Sequence, residues 1–218
     1  MKKLLPIALL IAASFGAQAA EFPDGKPVTI VVPFAAGGPT DRVARDLAEA
    51  MSRQLGGTPI VIDNAAGAGS TIGNAKVARA KNDGHTLLVT HVGMATTPVL
   101  YRKLSYNYET DFEYLGMIND VPMTLIGKPQ IEAKNLAELR DWIAKNPGKV
   151  NLGNAGVGSA SHLCGLLFQS ELKADMTTVP YKGTAPAIAD LLGGQIDLLC
   201  DQTTNTTSQI EGKKVKAY

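Results

Sequence analysis

The chain has almost no excess of charge of either sign, with 21 basic against 20 acidic residues and a formal net charge of +1 over 218 positions. That balance, with aromatics at only 6% and Lys and Arg scattered, gives no footprint for nucleic acid or an anionic membrane. Cysteine is nearly missing as well, with two residues in the whole chain, so a multiply bridged mini-scaffold is excluded. The pair His162-x-Cys164 lies far in sequence from His85 and His91, which does not make a metal site. No repeat of fixed short period and no low-complexity linker is present.

Signatures of common enzyme chemistry are absent too. No G-x-S-x-G elbow surrounds Ser159 or Ser161, and no P-loop lysine occurs. The stretch Gly67-Ala-Gly69-Ser-Thr-Ile-Gly73 imitates a dinucleotide motif, but Ile72 stands where the third glycine belongs. Asp41, Asp83, Asp197 and Asp201 are dispersed and form no acid–base pair. The expectation is a protein that is not an enzyme and takes no cofactor. A secreted α/β hydrolase using Ser159 or Ser161 with His162 is the distant alternative.

The N-terminus has the grammar of an exported protein. Lys2 and Lys3 precede an apolar stretch from Leu4 to Phe15, and Ala17-Gln18-Ala19 supplies a small-x-small cleavage pattern. The stretch falls short of the roughly 20 residues that span a bilayer, so residues 1–19 read as a signal peptide rather than an anchor. No cysteine follows the cut site to carry a lipid. A mature chain of about 200 residues is long enough to bury a real core. In an oxidising compartment Cys164 and Cys200 are expected to form a disulfide, two buried free thiols being the alternative.

What is present is alternation. Val28 to Val32 is a β-branched run, Thr40 is placed to cap a helix with Val43, Leu47, Met51 and Leu55 on one face, and Pro59 to Ile62 is a second strand. Ser70 is placed to cap a helix to about Ala80, and Thr86 to Thr90 is a third strand. Residues 98–108 are irregular, whereas 112–118 and 123–127 look extended. The rhythm resumes with a helix capped by Asn135, then strands at 150–153, 178–180 and 196–200 separated by helices at 162–172 and 185–192. Val215 to Tyr218 reads as the opening of another strand, and an end there suggests a piece of a longer protein. The β-α-β pattern predicts two α/β lobes, each a mostly parallel sheet with helices on both faces. Their bounds are expected at 20–120 and 121–218, the first lobe lacking a C-terminal return.

Two glycine-rich strand-to-helix turns, Phe34 to Thr40 and Asn154 to Ser161, carry the functional expectation. Each presents backbone N–H groups at a helix N-terminus, where roughly half a positive charge accumulates. Facing each other across a cleft, they are expected to hold a carboxylate each without an Arg or Lys clamp, helped by the hydroxyls of Thr40, Ser159 and Ser161.

The motifs Pro33-Phe-Ala-Ala-Gly-Gly-Pro-Thr-Asp41, Asn64-Ala-Ala-Gly-Ala-Gly69, Gly156-Val-Gly-Ser-Ala-Ser-His162, Tyr181-Lys-Gly-Thr-Ala-Pro186 and Asp190-Leu-Leu-Gly-Gly-Gln-Ile-Asp197 together resemble the periplasmic solute-binding proteins of tripartite tricarboxylate transporters, the Bug family. The resemblance runs from the N-terminal segment to the last residue. It implies a Venus-flytrap periplasmic binding protein, monomeric, closing on a dicarboxylate or aromatic acid and delivering it to membrane transporter subunits. A sensory role with the same ligand remains the runner-up. The implied contacts are Phe34, Ala35, Gly38, Thr40 and His91 in the first lobe and Asn154, Ser159, Ser161, His162 and Asp201 in the second. His91 and Asp201 are the candidates for specificity. Family members run about a hundred residues further, which implies that this chain lacks the edge of its first lobe and is less stable than an intact relative.

Overall fold

A computed structural model describes residues 22–218; the signal-peptide reading of residues 1–19 lies outside the described residues. The first sheet is parallel and three-stranded, with β1 (Val28–Val32) between β2 (Ile60–Asn64) and β3 (Thr86–Leu88). The unbroken Val-Thr-Ile-Val-Val run of β1 suits a central strand buried on both faces. One face packs Ile30, Val32, Phe34 and Leu87 against Ala44, Leu47, Ala48 and Met51 of α1 (Pro39–Gln54). The other face meets α2 (Thr71–Ala78) and α3 (Gly93–Leu100), where Leu88, Ala75, Met94 and Tyr106 cluster. Neighbours Leu87 and Leu88 thus point to opposite cores, as the two-residue period of a strand requires.

The second sheet has five strands in the order β6 (Thr177–Pro180), β5 (Asn151–Asn154), β7 (Leu198–Gln202), β4 (Met123–Gly127) and β8 (Lys216–Ala217). Only β4 runs against the others. Leu198 joins Leu139, Ile143, Val150 and Leu152 beneath α4 (Leu136–Lys145). Its neighbour Leu199 joins Ala187, Ile188 and Leu191 of α6 (Thr184–Leu192) on the far face. Helices α5 (Ala160–Leu172) and α7 (Thr203–Glu211) complete the lobe. Cys164 on α5 is disulfide-bonded to Cys200 on β7 across a Cα–Cα distance of 6.1 Å. The expected two-lobed architecture is present, with mostly parallel sheets covered on both faces.

Several local expectations are corrected. Thr40 does not cap α1: Gly38 occupies the N-cap, Pro39 fills a first-turn position where its missing N–H costs nothing, and Thr40 lies one residue inside the helix. Ser70 is at the N-cap of α2 with a left-handed φ of 94°, and its hydroxyl accepts from Asn74 Nδ2 at 3.2 Å instead of capping. Part of the supposedly irregular stretch belongs to α3, which carries Pro98 inside it. Residues 112–118 form no strand; Tyr114, Leu115, Met117 and Ile118 there are exposed. Asn135 does cap α4, its side chain accepting from the Glu138 N–H at 2.9 Å. Glu138 in turn accepts from the Asn135 side chain and the Lys134 N–H.

Candidate functional site

The lobes meet at the carboxyl ends of their parallel strands, where ligands of open α/β sheets sit. Ala35 in the turn after β1 donates its N–H to the Lys182 carbonyl of the second lobe at 2.9 Å. Thr96 of α3 donates to the Gly158 carbonyl at 2.6 Å, and Tyr101 to the Val157 carbonyl at 3.2 Å. Glycine permits two of these approaches. A Cβ on Gly69, at φ +59°, would stand 1.8 Å from the Val157 carbonyl oxygen. One on Gly183, at φ +146°, would stand 2.9 Å from the Ala35 nitrogen.

Between the lobes lies a small, partly open cavity of about 20 Å³, lined by residues from both. Room for about one water centre remains there. Its wall is made of helix beginnings: Gly38, Pro39 and Thr40 of α1, Ala160 and Ser161 of α5, Thr184 of α6 and Gln202 at the N-cap of α7. Four helix N-termini therefore border one cavity, and the lining holds no lysine or arginine. A wider, more open groove of about 550 Å³ runs along the same seam past Gly69, Tyr101, Val157, Tyr181 and Lys182. Its lining contains no buried polar side chain, so it lacks the fixed donors that orient a small anion.

Of the expected residues, the structure brings Phe34, Gly38, Thr40, His91, Ser161 and Asp201 together at the cavity. Ala35, Asn154, Ser159 and His162 are not in its lining, and each has another engagement. Ala35 is the inter-lobe bond just described. Asn154 accepts from the Gly156 N–H at 2.8 Å and so shapes its own turn. Ser159 caps α5 by accepting from the His162 N–H at 3.2 Å. His162 Nδ1 accepts from the Gly158 N–H at 3.3 Å. Ser161 donates to the Cys200 carbonyl at 2.5 Å, which leaves its oxygen free only to accept. Among the described residues neither serine is hydrogen-bonded to an imidazole, so the nucleophile–base contact a hydrolase needs is not formed.

Two titratable side chains line the cavity. His91 stacks on Phe34 with ring centroids 4.6 Å apart, and its Nδ1 accepts from the Gly93 N–H at 3.1 Å. Desolvation takes its pKa down to about 4, so the ring is neutral at pH 7 with its proton on Nε2 as a remaining donor. Asp201 is 1% exposed. Burial pushes its carboxyl up to about 6, against hydrogen bonds from Asn205, Gln202 and Thr184.

The first turn is braced from behind. Asp41 accepts from the Gly37 N–H at 2.9 Å, from Arg45 at 2.9 and 3.0 Å and from Asn64 Nδ2 at 2.9 Å. Asn64 Nδ2 also reaches the Phe34 carbonyl at 3.1 Å. Burial opposes ionisation of Asp41, but these bonds outweigh it and hold the carboxyl below its usual range.

Sequence reasoning did not select Thr184, Gln202 or Met123, which line the cavity. For Thr184 the signal was available: Lys182-Gly-Thr is a third glycine-led entry into a helix, after a strand ending at Pro180. Gln202 and Met123 carry no comparable pattern.

The family model of the tripartite tricarboxylate transporter family receptor matches residues 43–218. A UPF0065 protein of Agrobacterium vitis, from the TAR-I ttuE-ttuC' intergenic region, is 48% identical over 97% of this chain, which spans 62% of that protein's length. Among solved structures, periplasmic binding protein BugD superposes with a TM-score of 0.86 at 53% identity, covering 88% of this chain and 64% of BugD. MatC from Rhodopseudomonas palustris, solved with bound malate, gives 0.83 at 41% identity over 88% of this chain and 66% of MatC. A further R. palustris protein, solved with adipate, gives 0.86 at 32% identity over 90% and 66% of the two chains. The chain belongs to the tripartite tricarboxylate transporter receptor family, the Bug periplasmic binding proteins.

Proposed function

We propose that this protein is a periplasmic solute-binding protein that captures a small organic acid, a dicarboxylate before an aromatic acid, between its lobes for a tripartite tricarboxylate-type transporter. The observation that carries the reading is that four helix N-termini, from both lobes, border one cavity without a cationic side chain. Backbone N–H groups at such ends bind carboxylate oxygens directly, and the dipoles favour the charge. The receptor family and the malate and adipate held by two relatives support the same ligand class.

Each of the ten residues expected from the sequence keeps a part in this reading. The backbone N–H groups of Gly38, Thr40 and Ser161 offer donors to the ligand's carboxylates, and Phe34 with His91 forms a flat wall with one N–H donor. Ala35, Asn154, Ser159 and His162 hold the turns in shape. Asp201 faces the ligand as the one carboxylate. The lobes touch beside the cavity through Ala35–Lys182 and Thr96–Gly158, so the ligand enters when the lobes part and is enclosed as they return. Export by residues 1–19 and action as a monomer, without cofactor or catalysis, complete the proposal.

A melting curve against a panel of aliphatic dicarboxylates, aromatic acids and acidic amino acids tests it. A ligand at a hundred times its dissociation constant stabilises by about 2.7 kcal/mol, a visible shift. A shift with one acid class is the expected result. A cooperative melt unmoved by every acid contradicts the reading.

A further inference from the structure

The anion-binding cavity contains a carboxylate of its own. Asp201 stands at the end of β7, and one oxygen, Oδ2, accepts from Asn205 Nδ2 at 2.6 Å. Its other oxygen, Oδ1, is buried and forms no hydrogen bond of normal geometry, although the Gln202 N–H and the Thr184 hydroxyl lie near the carboxylate. A buried acceptor left unpaired is costly, and a negative group among helix N-termini that await a carboxylate works against a ligand that is only an anion. Both conflicts vanish if the ligand brings a hydrogen-bond donor to that oxygen.

We propose that Asp201 is the specificity-determining residue of this site, its unpartnered Oδ1 receiving a hydrogen bond from a hydroxyl or ammonium carried on the ligand carbon next to a carboxylate. This rests on the carboxylate-binding reading above and narrows it to hydroxy- or amino-substituted acids. The helix ends of α1, α5 and α6 hold the carboxylate, and Asp201 reads the neighbouring substituent. A plain dicarboxylate reaches the same place only if a proton comes with it, converting Asp201 into a neutral donor.

The surroundings leave Asp201 as the responsive group. His91 is the other titratable side chain in the lining and is neutral above pH 5. Strands β4 and β5 beside β7 carry no titratable side chain. On α5, His162 has Nδ1 occupied by the Gly158 N–H, and Glu171 lies in the last turn. On α6, Asp190 is bound by the Tyr181 hydroxyl at 2.6 Å, and on α7 the single such residue, Glu211, closes the far end. The carboxyl of Asp201, lifted to about 6 by burial, is mostly ionised at pH 7.5 and takes up a proton readily when a second negative charge arrives.

Calorimetry with succinate, malate and aspartate tests this, since the three share one carbon skeleton and differ by a hydrogen, a hydroxyl and an ammonium at one position. Titrations are run at pH 7.5 in two buffers of different ionisation enthalpy. Malate or aspartate, or both, should bind about ten- to a hundredfold more tightly than succinate, the value of one charge-assisted hydrogen bond. Whichever binds tighter identifies hydroxyl or ammonium as the matched donor. Succinate, but not the tighter ligand, should show proton uptake. Asp201→Asn should level the three affinities and abolish the uptake; if that variant does not melt cooperatively, the wild-type ranking and proton count decide. Succinate binding as tightly as the other two, or an unchanged ranking in a folded Asp201→Asn, overturns the role of Asp201 and leaves the carboxylate reading intact. Binding of none of the three overturns the role of Asp201; a melting shift with another acid class then leaves the carboxylate reading intact, and a cooperative melt unmoved by every acid overturns both.

Discussion

At the residue scale the first turn depends on one side chain, Asp41, whose polar atoms are fully engaged. Asp41 is 3% exposed and ties together Gly37, Arg45 and Asn64 behind the first turn. Asp41→Ala removes the shared acceptor of all three. Because Arg45 and Asn64 retain access to water, the expected cost is about 2 kcal/mol rather than that of a fully buried pair. Urea denaturation measures it, and ligand affinity should fall with it as Gly37 loses its anchor. His91 and Asp201 give a pH signature of opposite signs. The His91 imidazole has its pKa lowered in the fold, so its contribution is complete above about 6.5 and is lost as pH falls toward 4. The Asp201 carboxyl is raised, so its contribution is complete below 3.8 and is lost as pH rises through about 6. The stability difference between wild type and His91→Gln should therefore shrink on acidification from pH 7 to 4.5, by on the order of 3 kcal/mol. Melting points of the two proteins across that range check the sign. Thr40 and Ser161 were selected from the two glycine-rich strand-to-helix turns and His91 and Asp201 from the family resemblance, and all four line the cavity. That Ser159 and Asn154 shape their own turns was not legible, since a hydroxyl at a helix start caps or binds with the same sequence signal.

At the element scale, legibility follows whether local chemistry and tertiary burial agree. The β-branched β1, the amphipathic α1 and the Asn135-capped α4 satisfy both and were readable from periodicity alone. Helix α7 was not: Thr-Thr-Asn-Thr-Thr is poor helix-forming sequence. Tertiary bonds hold it instead, with Asn205 on Asp201 and Thr206 Oγ1 on Thr124 Oγ1 at 2.6 Å. Helix α3 was hidden by Pro98 and by eight residues without an apolar stripe. The disulfide fastens α5 to β7 between two cavity residues, Ser161 and Asp201. Closing a loop whose ends are 36 residues apart, it should contribute about 2–4 kcal/mol. Melting with and without reductant should show that loss, and the Cys164→Ser, Cys200→Ser double variant should reproduce it without further change on reduction.

At the scale of the whole molecule, two lobes were readable from repeated β-α-β grammar, but their closeness was not. The seam depends on glycines whose role is visible only when the other lobe is in place. Gly69→Ala puts a methyl group against the Val157 carbonyl, so the variant should remain folded yet close incompletely. Ligand affinity should fall by about tenfold or more, as expected when the competent conformation is depopulated. Small-angle scattering should show ligand-induced compaction in the wild type and little in the variant.

The central claim, that helix N-termini from both lobes grip one carboxylate ligand, is tested most directly by backbone amide NMR during titration with a dicarboxylate. The expected result is a concerted shift of Thr40 and Asp41 in the first lobe with Ser161, His162 and Thr184 in the second, all at one dissociation constant. Shifts confined to a single lobe, or to the outer groove around Gly69, Tyr101 and Tyr181, would contradict it.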